Sequence, residues 1–321
     1  MSRNSLISSL NEIRTAGKYQ RSRLRIGILF TLPAVLILLA VLAYPIVSSF
    51  ILSFQRVRLA AGGIVTEFIG LENYAQILQD AAFRNAFTNS VYFTFIEIVA
   101  VIILSLGLAL MLNHPLGRPA IYRVVLLIPW ALAPVANAVL WKWIYNANYG
   151  VLNAIVVGLG LSETGIVWLG SSFLALNMIL IADIWKATPF ITLLLLAGLQ
   201  NIPRRLYKAA LMDGATGWQQ FIHITLPGIR TTMIISIVLQ SIWALKVFDL
   251  IFVLTKGGPA DGTILLNYLS WRVTFNYLNI GYGAAIADVL FVMMLLLALV
   301  YIRALRPRTS SKKNIEATID E

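Results

Sequence analysis

Residues 26–53 read IGILFTLPAVLILLAVLAYPIVSSFILS and contain no Asp, Glu, Lys or Arg. A helix needs about 20 apolar residues to cross roughly 30 Å of hydrocarbon, so this stretch is long enough to span a bilayer. Arg21, Arg23 and Arg25 precede it, as basic residues precede the core of a signal peptide. The run is too long for such a core and no small-residue cleavage site follows it. We therefore expect a membrane-spanning helix here.

Five more apolar stretches follow, and they dominate the composition of the chain. They lie near 87–112, 122–145, 173–199, 231–254 and 281–303. Of the 321 residues, 59% are hydrophobic and 12% are charged, against about a quarter charged in a typical soluble domain. Because a backbone in lipid must satisfy its own hydrogen bonds, helices are expected. The sequence predicts an all-α, polytopic membrane protein whose six spans cover 26–303, between an N-terminal segment, 1–25, and a C-terminal tail, 304–321.

The distribution of basic residues predicts the orientation of the bundle. The net charge is +11, and most Lys and Arg lie in the N-terminal segment, the second-to-third loop, the fourth-to-fifth loop and the C-terminal tail. An even number of spans places both termini on one side, and basic residues accumulate on the cytoplasmic side. We expect cytoplasmic termini and a basic rim that meets anionic lipid of the bilayer. The charge surplus then needs no nucleic-acid partner.

Enzymatic and metal chemistry have little support in the residues. Cysteine is absent, and the two histidines, His114 and His223, both fall in predicted cytoplasmic loops. No G-x-x-x-x-G-K-[ST] phosphate loop occurs, so the chain is expected not to bind ATP itself and not to be an enzyme. An intramembrane enzyme would need a nucleophile, a metal or an acid–base constellation at membrane depth.

Charged residues occur within or at the ends of the apolar spans, where a central charge costs about 2.5 to 3.5 kcal/mol. They are Glu97, Asp183, Lys186, Lys246, Asp249 and Asp288. Asp183 and Lys186 are three residues apart, as are Lys246 and Asp249, so each pair can share a helical face. Structural pairing at helix ends is the favoured interpretation, and a lysine that faces a polar solute path is the alternative. For Glu97 and Asp288 we favour structural contact with another helix over solute or ion binding.

Aromatic and amide side chains recur in the third, fourth and fifth spans. Tryptophan is common at membrane interfaces, which accounts for Trp141, Trp143 and Trp271. Trp243 lies deeper, beside Gln240. An aromatic face next to an amide can stack on a sugar ring and hydrogen-bond to it.

The most distinctive segment, between the fourth and fifth spans, reads NIPRRLYKAALMDGATGWQQFIHITLP at 201–227. Pro203 suits the first turn of a helix, and Gly214 can adopt the positive φ that ends one. A second short helix is expected from about Thr216 to His223, stopped by Leu226 and Pro227. Two short helices with an apolar, small-residue face fit a partner's groove. The alternative is a loop folded back on its own bundle.

This segment resembles the EAA loop of bacterial ABC-importer permeases, through Lys208-Ala-Ala-Leu-Met-Asp-Gly-Ala215 and the downstream Leu226-Pro227. Three further stretches, 68–74, 185–190 and 248–259, are similar to carbohydrate-type members. The joint resemblance covers nearly the whole chain from Ile26 to Arg303 and implies the type I ABC importer permease fold. Gly257-Gly258-Pro259 points to the first permease of a heterodimeric pair, the type found in importers for maltose, trehalose, other glycosides and glycerol phosphate.

The resemblance also implies partners in the bacterial inner membrane and on both sides of it. Two ABC ATPase subunits hold Mg-ATP, so this chain needs no cofactor of its own, and a second, homologous permease completes the path. An extracytoplasmic solute-binding protein docks on the outer loops, here 55–86, 146–172 and 255–280. Lys208 stands where the family usually has Glu, which predicts an acidic partner on the cognate ATPase. The residues implied to couple to the ATPase are Lys208, Ala209, Ala210, Asp213, Gly214, Ala215, Leu226 and Pro227.

A solute site near the membrane midplane is implied as well. The matching positions are Pro134, Lys186, Ala187, Phe190, Gln240, Trp243, Ala244 and Val247, and Asn137 joins them one helical turn from Pro134. The side chains differ from the maltose pattern, so we expect a different di- or oligosaccharide or glycoside. The alternative is glycerol phosphate or another anionic or polyol solute, which Lys186 and Lys246 could attract. A secondary transporter is disfavoured because no clear repeat occurs and the EAA-like loop would have no role.

Overall fold

The computed structural model describes residues 3–60, 63–113 and 119–305. The predicted C-terminal tail beyond residue 305 and His114 lie outside the described residues. Side chains of the predicted N-terminal segment, 1–25, also lie outside them, while the backbone of residues 3–25 belongs to the first helix.

The described chain is helical apart from one hairpin, which confirms the predicted all-α membrane fold. In chain order the elements are α1 Arg3–Ser53, strands β1 Gln55–Ala60 and β2 Gly63–Phe68, α2 Glu72–Gln79, α3 Ala81–Asn113, α4 Pro119–Ala131, α5 Pro134–Ile144, α6 Val151–Gly158, α7 Ser172–Gln200, α8 Arg204–Met212, α9 Gly217–Gln220, a π-helical turn Phe221–Thr225, α10 Leu226–Gly228, α11 Arg230–Leu245, α12 Asp249–Leu254, α13 Leu266–Trp271, a second π-helical turn Arg272–Asn276, and α14 Ile280–Leu305. Strands β1 and β2 pair antiparallel, with Gln55 opposite Phe68. Sequence reasoning did not foresee this hairpin.

Five helical segments are long and apolar enough to cross a membrane. They are Ile26–Ser53, Ala81–Asn113, Ser172–Gln200, Arg230–Leu254 and Ile280–Tyr301. The third predicted span, 122–145, is not one straight helix, because Ile121–Ala131 and Pro134–Ile144 meet at 91°. Proline has no N–H to donate and clashes with the preceding turn, and Pro134 begins the second half of the break. Counting the bent pair as one span gives the six predicted.

A second interruption divides the fifth span. Helix α11 ends at Leu245 and α12 begins at Asp249, so residues 246–248 are not helical. Irregular backbone at membrane depth is tolerated where it lines a cavity or is buried in protein. Helix α12 packs against α5, so the two interrupted spans meet.

Helices α3 and α7 pack along each other and carry the apolar core. One buried cluster includes Phe93, Ile179 and Ile251. Another, which includes Leu195 and Ile229, lies next to the loop between α7 and α11. Together they hold the inner faces of α3, α7, α11 and α14, while most side chains of residues 26–53 of α1 are exposed.

The loop after α12 is fixed by polar contacts from α3. Asn85 Nδ2 donates to the carbonyl oxygen of Asp261 at 2.7 Å, and the backbone N–H of Leu266 donates to Ser90 Oγ at 2.8 Å. Arg272 donates to both carboxylate oxygens of Asp261, at 2.8 and 3.1 Å. These hydrogen bonds hold the pKa of Asp261 below its usual range. This end of the bundle, around Asp261 and Arg272, is therefore held together by side-chain hydrogen bonds.

Glycine at position 281 lets α14 approach the hairpin. A Cβ there would collide with the carbonyl oxygen of Gln55. We expect Gly281→Ala to lower the melting temperature of the detergent-purified protein, because overpacking of this kind costs about 1–3 kcal/mol. Gly107→Ala is the matched control, since nothing lies within 4 Å of a Cβ at that helical position. Equal melting temperatures for the two variants would contradict the close approach.

Candidate functional site

A cavity of about 430 Å³ lies where the two interrupted spans meet α3 and α7. It is lined by Glu97 of α3, Trp130 of α4, Leu132, Pro134 and Asn137 at and beyond the break, Asp183, Lys186 and Ala187 of α7, Gln240 and Trp243 of α11, and residues 246–250 around the second interruption. Both helix interruptions therefore border the same space. Their position explains how polar backbone is accommodated within apolar spans.

The structure brings most of the predicted solute residues together at this cavity. Its lining includes Asn137, Lys186, Ala187, Gln240, Trp243 and Val247, together with Pro134. Phe190 and Ala244 are placed elsewhere. Ala244 is buried, and the Phe190 ring packs between two tryptophan rings rather than at the cavity surface.

Two rings, Trp130 and Trp243, form an aromatic wall at one side of the cavity, and Phe190 packs between them. Phe190 stacks on Trp130 with ring centroids 5.3 Å apart and meets Trp243 edge to face at 5.2 Å. Trp243 is 37% exposed. The sequence analysis did not assign Trp130 to the site. Phe190, which was predicted as a site residue and stacks on Trp130, is the signal that could have identified this tryptophan.

The four residues Asp183, Lys186, Lys246 and Asp249 line the cavity and form no salt bridge along their own helices. No salt bridge within 4.0 Å joins Asp183 to Lys186 or Lys246 to Asp249, all four of which the structure describes. All four line the cavity. The favoured prediction of paired helix ends is therefore wrong in geometry. At three-residue spacing the side chains share a face, and here that face is turned to the open space.

The other two intramembrane acids contact neighbouring helices, as predicted. Asp288 accepts hydrogen bonds from the hydroxyls of Tyr74 at 3.1 Å and Ser49 at 3.4 Å. Glu97 accepts a hydrogen bond from Gln240 Nε2. Glu97 also lines the cavity, which sequence reasoning missed because no local spacing connects α3 with α11.

Several buried polar atoms at the cavity have no hydrogen-bond partner among the residues that the structure describes. They are both side-chain polar atoms of Asn137, Gln240 Oε1 and Glu97 Oε2. Buried polar atoms are nearly always paired in proteins. These groups are consequently available to a solute or to water.

The loop between α7 and α11 forms a second candidate site, which faces outward. Helices α8 and α9 bury none of their residues, and Met212 and Trp218 are 90% and 69% exposed. Gly214 ends α8 at φ +75°, as predicted. The alternative of a loop folded back on its own bundle is not what the structure shows. The predicted coupling residues Lys208, Ala209, Asp213, Gly214 and Pro227 are exposed, and Ala210, Ala215 and Leu226 are half-buried.

The second helix of this loop differs from the prediction at its end. Thr216 caps it together with Gln219 in a capping box, but Leu226 and Pro227 do not stop it. The helix continues through the π-helical turn into α10, Leu226–Gly228. Proline fits the first turn of a helical segment without losing a hydrogen bond that the helix needs. The Tyr207 hydroxyl lies 2.9 Å from Thr225 Oγ1 and ties α8 to this continuation.

Comparison with known proteins connects both sites to transport. Residues 119–311 match the family described as binding-protein-dependent transport system inner membrane component. The chain belongs to this family. It is thus a permease subunit of an ABC importer and a multi-pass protein of the inner membrane, as the sequence predicted.

Relatives that align with nearly the whole permease are named as transport proteins for sugars or a glycoside. This chain is 39% identical over 303 residues to the trehalose/maltose transport system permease protein MalF of Thermococcus litoralis, and the alignment covers 93% of this chain and 99% of that protein. It is 35% identical over 283 residues to the sulfoquinovosyl glycerol transport system permease protein SmoG of Agrobacterium fabrum, covering 88% and 91%. The trehalose transport system permease protein SugA of Mycobacterium tuberculosis is 32% identical over 279 residues, covering 87% and 88%.

A solved structure shares the fold of the permease. It is a bacterial alginate ABC transporter in complex with alginate pentasaccharide-bound periplasmic protein. The TM-score is 0.75 at 22% identity, over 89% of this chain and 94% of that chain. The similarity confirms the predicted type I importer permease fold.

The unpaired amide of Asn137 yields a stability prediction. Because its side chain has no partner among the described residues, we expect Asn137→Leu to leave the melting temperature of the solute-free permease unchanged or higher. Asn177→Leu is the control, since Asn177 accepts from the Tyr92 hydroxyl at 2.9 Å and donates to the Phe173 carbonyl at 2.7 Å. We expect that variant to melt lower. A comparable loss in both variants would show that Asn137 has a structural partner.

Proposed function

We propose that the permease translocates a neutral sugar, a di- or oligosaccharide or a glycoside, through the cavity bordered by the two helix interruptions. The observation that carries the proposal is the aromatic wall beside unpaired amide groups. Aromatic faces stack on the apolar faces of sugar rings, and amides bind their hydroxyl groups. The volume of about 430 Å³ lies in the range of small-molecule sites.

The charge balance of the lining supports a neutral solute over an anionic one. Two lysines, Lys186 and Lys246, face the cavity together with three carboxyl groups, those of Glu97, Asp183 and Asp249. A site for an anion needs a surplus of positive groups at the ligand. The sugar names of the relatives, trehalose, maltose and lactose, agree with this choice.

The second candidate is an anionic solute such as glycerol phosphate or a sulfonated glycoside. It is supported by the two lysines in the lining and by the relative named for sulfoquinovosyl glycerol. This solute would have to approach the lysines more closely than the carboxyl groups. The two candidates make the most different predictions for Lys186, which an anionic solute would need as a positive partner.

We also propose the arrangement in which the permease works. It pairs with a second, homologous permease as a heterodimer and engages two ABC ATPase subunits through the exposed loop of α8 and α9, with both termini in the cytoplasm. An extracytoplasmic binding protein delivers the sugar to the surface near Asp261 and Arg272. The exposed apolar side chains of Leu211, Met212 and Trp218 support the loop as a docking element.

The solute site is tested by uptake into proteoliposomes that contain the complete transporter, its binding protein and internal ATP. Maltose, trehalose, lactose and glycerol 3-phosphate are the labelled probes. We expect uptake of a neutral sugar, reduced about tenfold or more by Trp243→Ala, because a central aromatic anchor is removed. Trp143→Ala is the control, an exposed tryptophan outside the cavity.

Uptake of glycerol 3-phosphate alone, abolished by Lys186→Ala, would instead establish the anionic candidate. Equal effects of the two tryptophan variants would show that the aromatic wall does not contact the solute.

The docking loop is tested by charge reversal at Lys208, an exposed residue of α8. If the cognate ATPase presents an acidic group there, Lys208→Glu places like charges together, and we expect about tenfold lower sugar-stimulated ATP hydrolysis. Arg230→Glu, at an exposed basic residue that begins α11, is the control. Unchanged or improved coupling in Lys208→Glu would contradict an acidic partner.

A further inference from the structure

A buried hydrogen bond crosses from α11 to α3 at the wall of the cavity. Gln240 Nε2 donates to Glu97 Oε1, and both side chains are fully buried. Asp183, from α7, lines the same cavity. Helices α3 and α11 therefore meet at the Glu97 side chain, beside a carboxyl group of α7.

This contact has a direction in the structure, in which the amide N–H donates and the carboxyl oxygen accepts, and an ionised Glu97 permits no other. A carboxylate accepts hydrogen bonds and does not donate them, whereas an amide presents a donor on one side and an acceptor on the other. Glu97 consequently takes the N–H side of the Gln240 amide. The carbonyl oxygen, Oε1, remains at the cavity lining without a partner among the described residues.

We propose that Glu97 is a positioning residue that fixes the Gln240 amide so that the cavity presents an oxygen acceptor to the solute. The inference rests on the proposed sugar transport and deepens it, because it names the kind of solute group that the site recognises. An acceptor fixed at this point selects a solute hydroxyl that donates its proton. A group that cannot donate leaves Gln240 Oε1 unpaired, which costs free energy in a buried site.

Glu97→Gln is the informative change, because it keeps the size of the side chain but no longer fixes the direction of the hydrogen bond to Gln240. A glutamine at position 97 can accept from Gln240 or donate to it, so the Gln240 amide can take either orientation. The double variant Glu97→Gln/Gln240→Glu restores the direction with the amide on the other helix. There a carboxylate oxygen at position 240 always faces the cavity.

The orientation is measured by comparing a transported sugar with its monodeoxyfluoro analogues, in which fluorine replaces one hydroxyl and cannot donate. The complete transporter takes up each labelled compound into proteoliposomes, with rates corrected for affinity to the binding protein. In the wild type we expect at least one analogue to be taken up about tenfold more slowly than its parent sugar. We expect Glu97→Gln to reduce this ratio below about threefold and the double variant to restore it.

A solute-free measurement tests the contact separately. Gln240→Glu alone places two carboxyl groups together and is expected to lower the melting temperature, while the double variant recovers it. Wild-type transport of none of the neutral sugars would overturn the proposed function, and the melting temperatures would still decide the pairing. Sugar transport with the same fluorine discrimination in wild type and Glu97→Gln, or with none in the wild type, would overturn only the role of Glu97.

Discussion

The architecture depends on one constraint, namely that a peptide group inside a bilayer must find its hydrogen bonds within the protein. The continuous helices α3, α7 and α14 satisfy this constraint, and they form the frame of the bundle. Two spans depart from it, between α4 and α5 and between α11 and α12. Because the departures are adjacent, the exposed backbone groups and the polar side chains share one cavity. The site exists where the frame is interrupted.

The charges of the cavity follow from the same constraint. Charged groups within a span are costly unless they face water or one another. Here carboxyl and ammonium groups from α3, α7 and residues 246–249 line one space, so groups of opposite charge share the same cavity. Such a lining is polar without a large net charge. It suits the passage of a solute with many hydroxyl groups, which exchanges hydrogen bonds with the wall as it moves.

Hydropathy was sufficient to predict the apolar spans, because span length is set by bilayer thickness and not by tertiary contacts. It did not predict the 91° bend, since residues 132 and 133 are as apolar as their neighbours and a window average does not register direction. The pairs Asp183–Lys186 and Lys246–Asp249 were misjudged because three-residue spacing gives a shared face but not what that face meets. Glu97 and Gln240 are 143 residues apart, and only packing brings them together. Gly214 was predicted correctly because the positive φ is a local property of one residue.

The exposed loop of α8 and α9 bears on the life of the subunit before assembly. Leu211, Met212 and Trp218 are exposed apolar side chains of this loop. Exposed apolar side chains are a target for aggregation and for quality-control proteases. If an ATPase covers this loop as we propose, the amount of permease that persists in the membrane depends on the supply of that ATPase, and the docking surface also controls subunit stoichiometry.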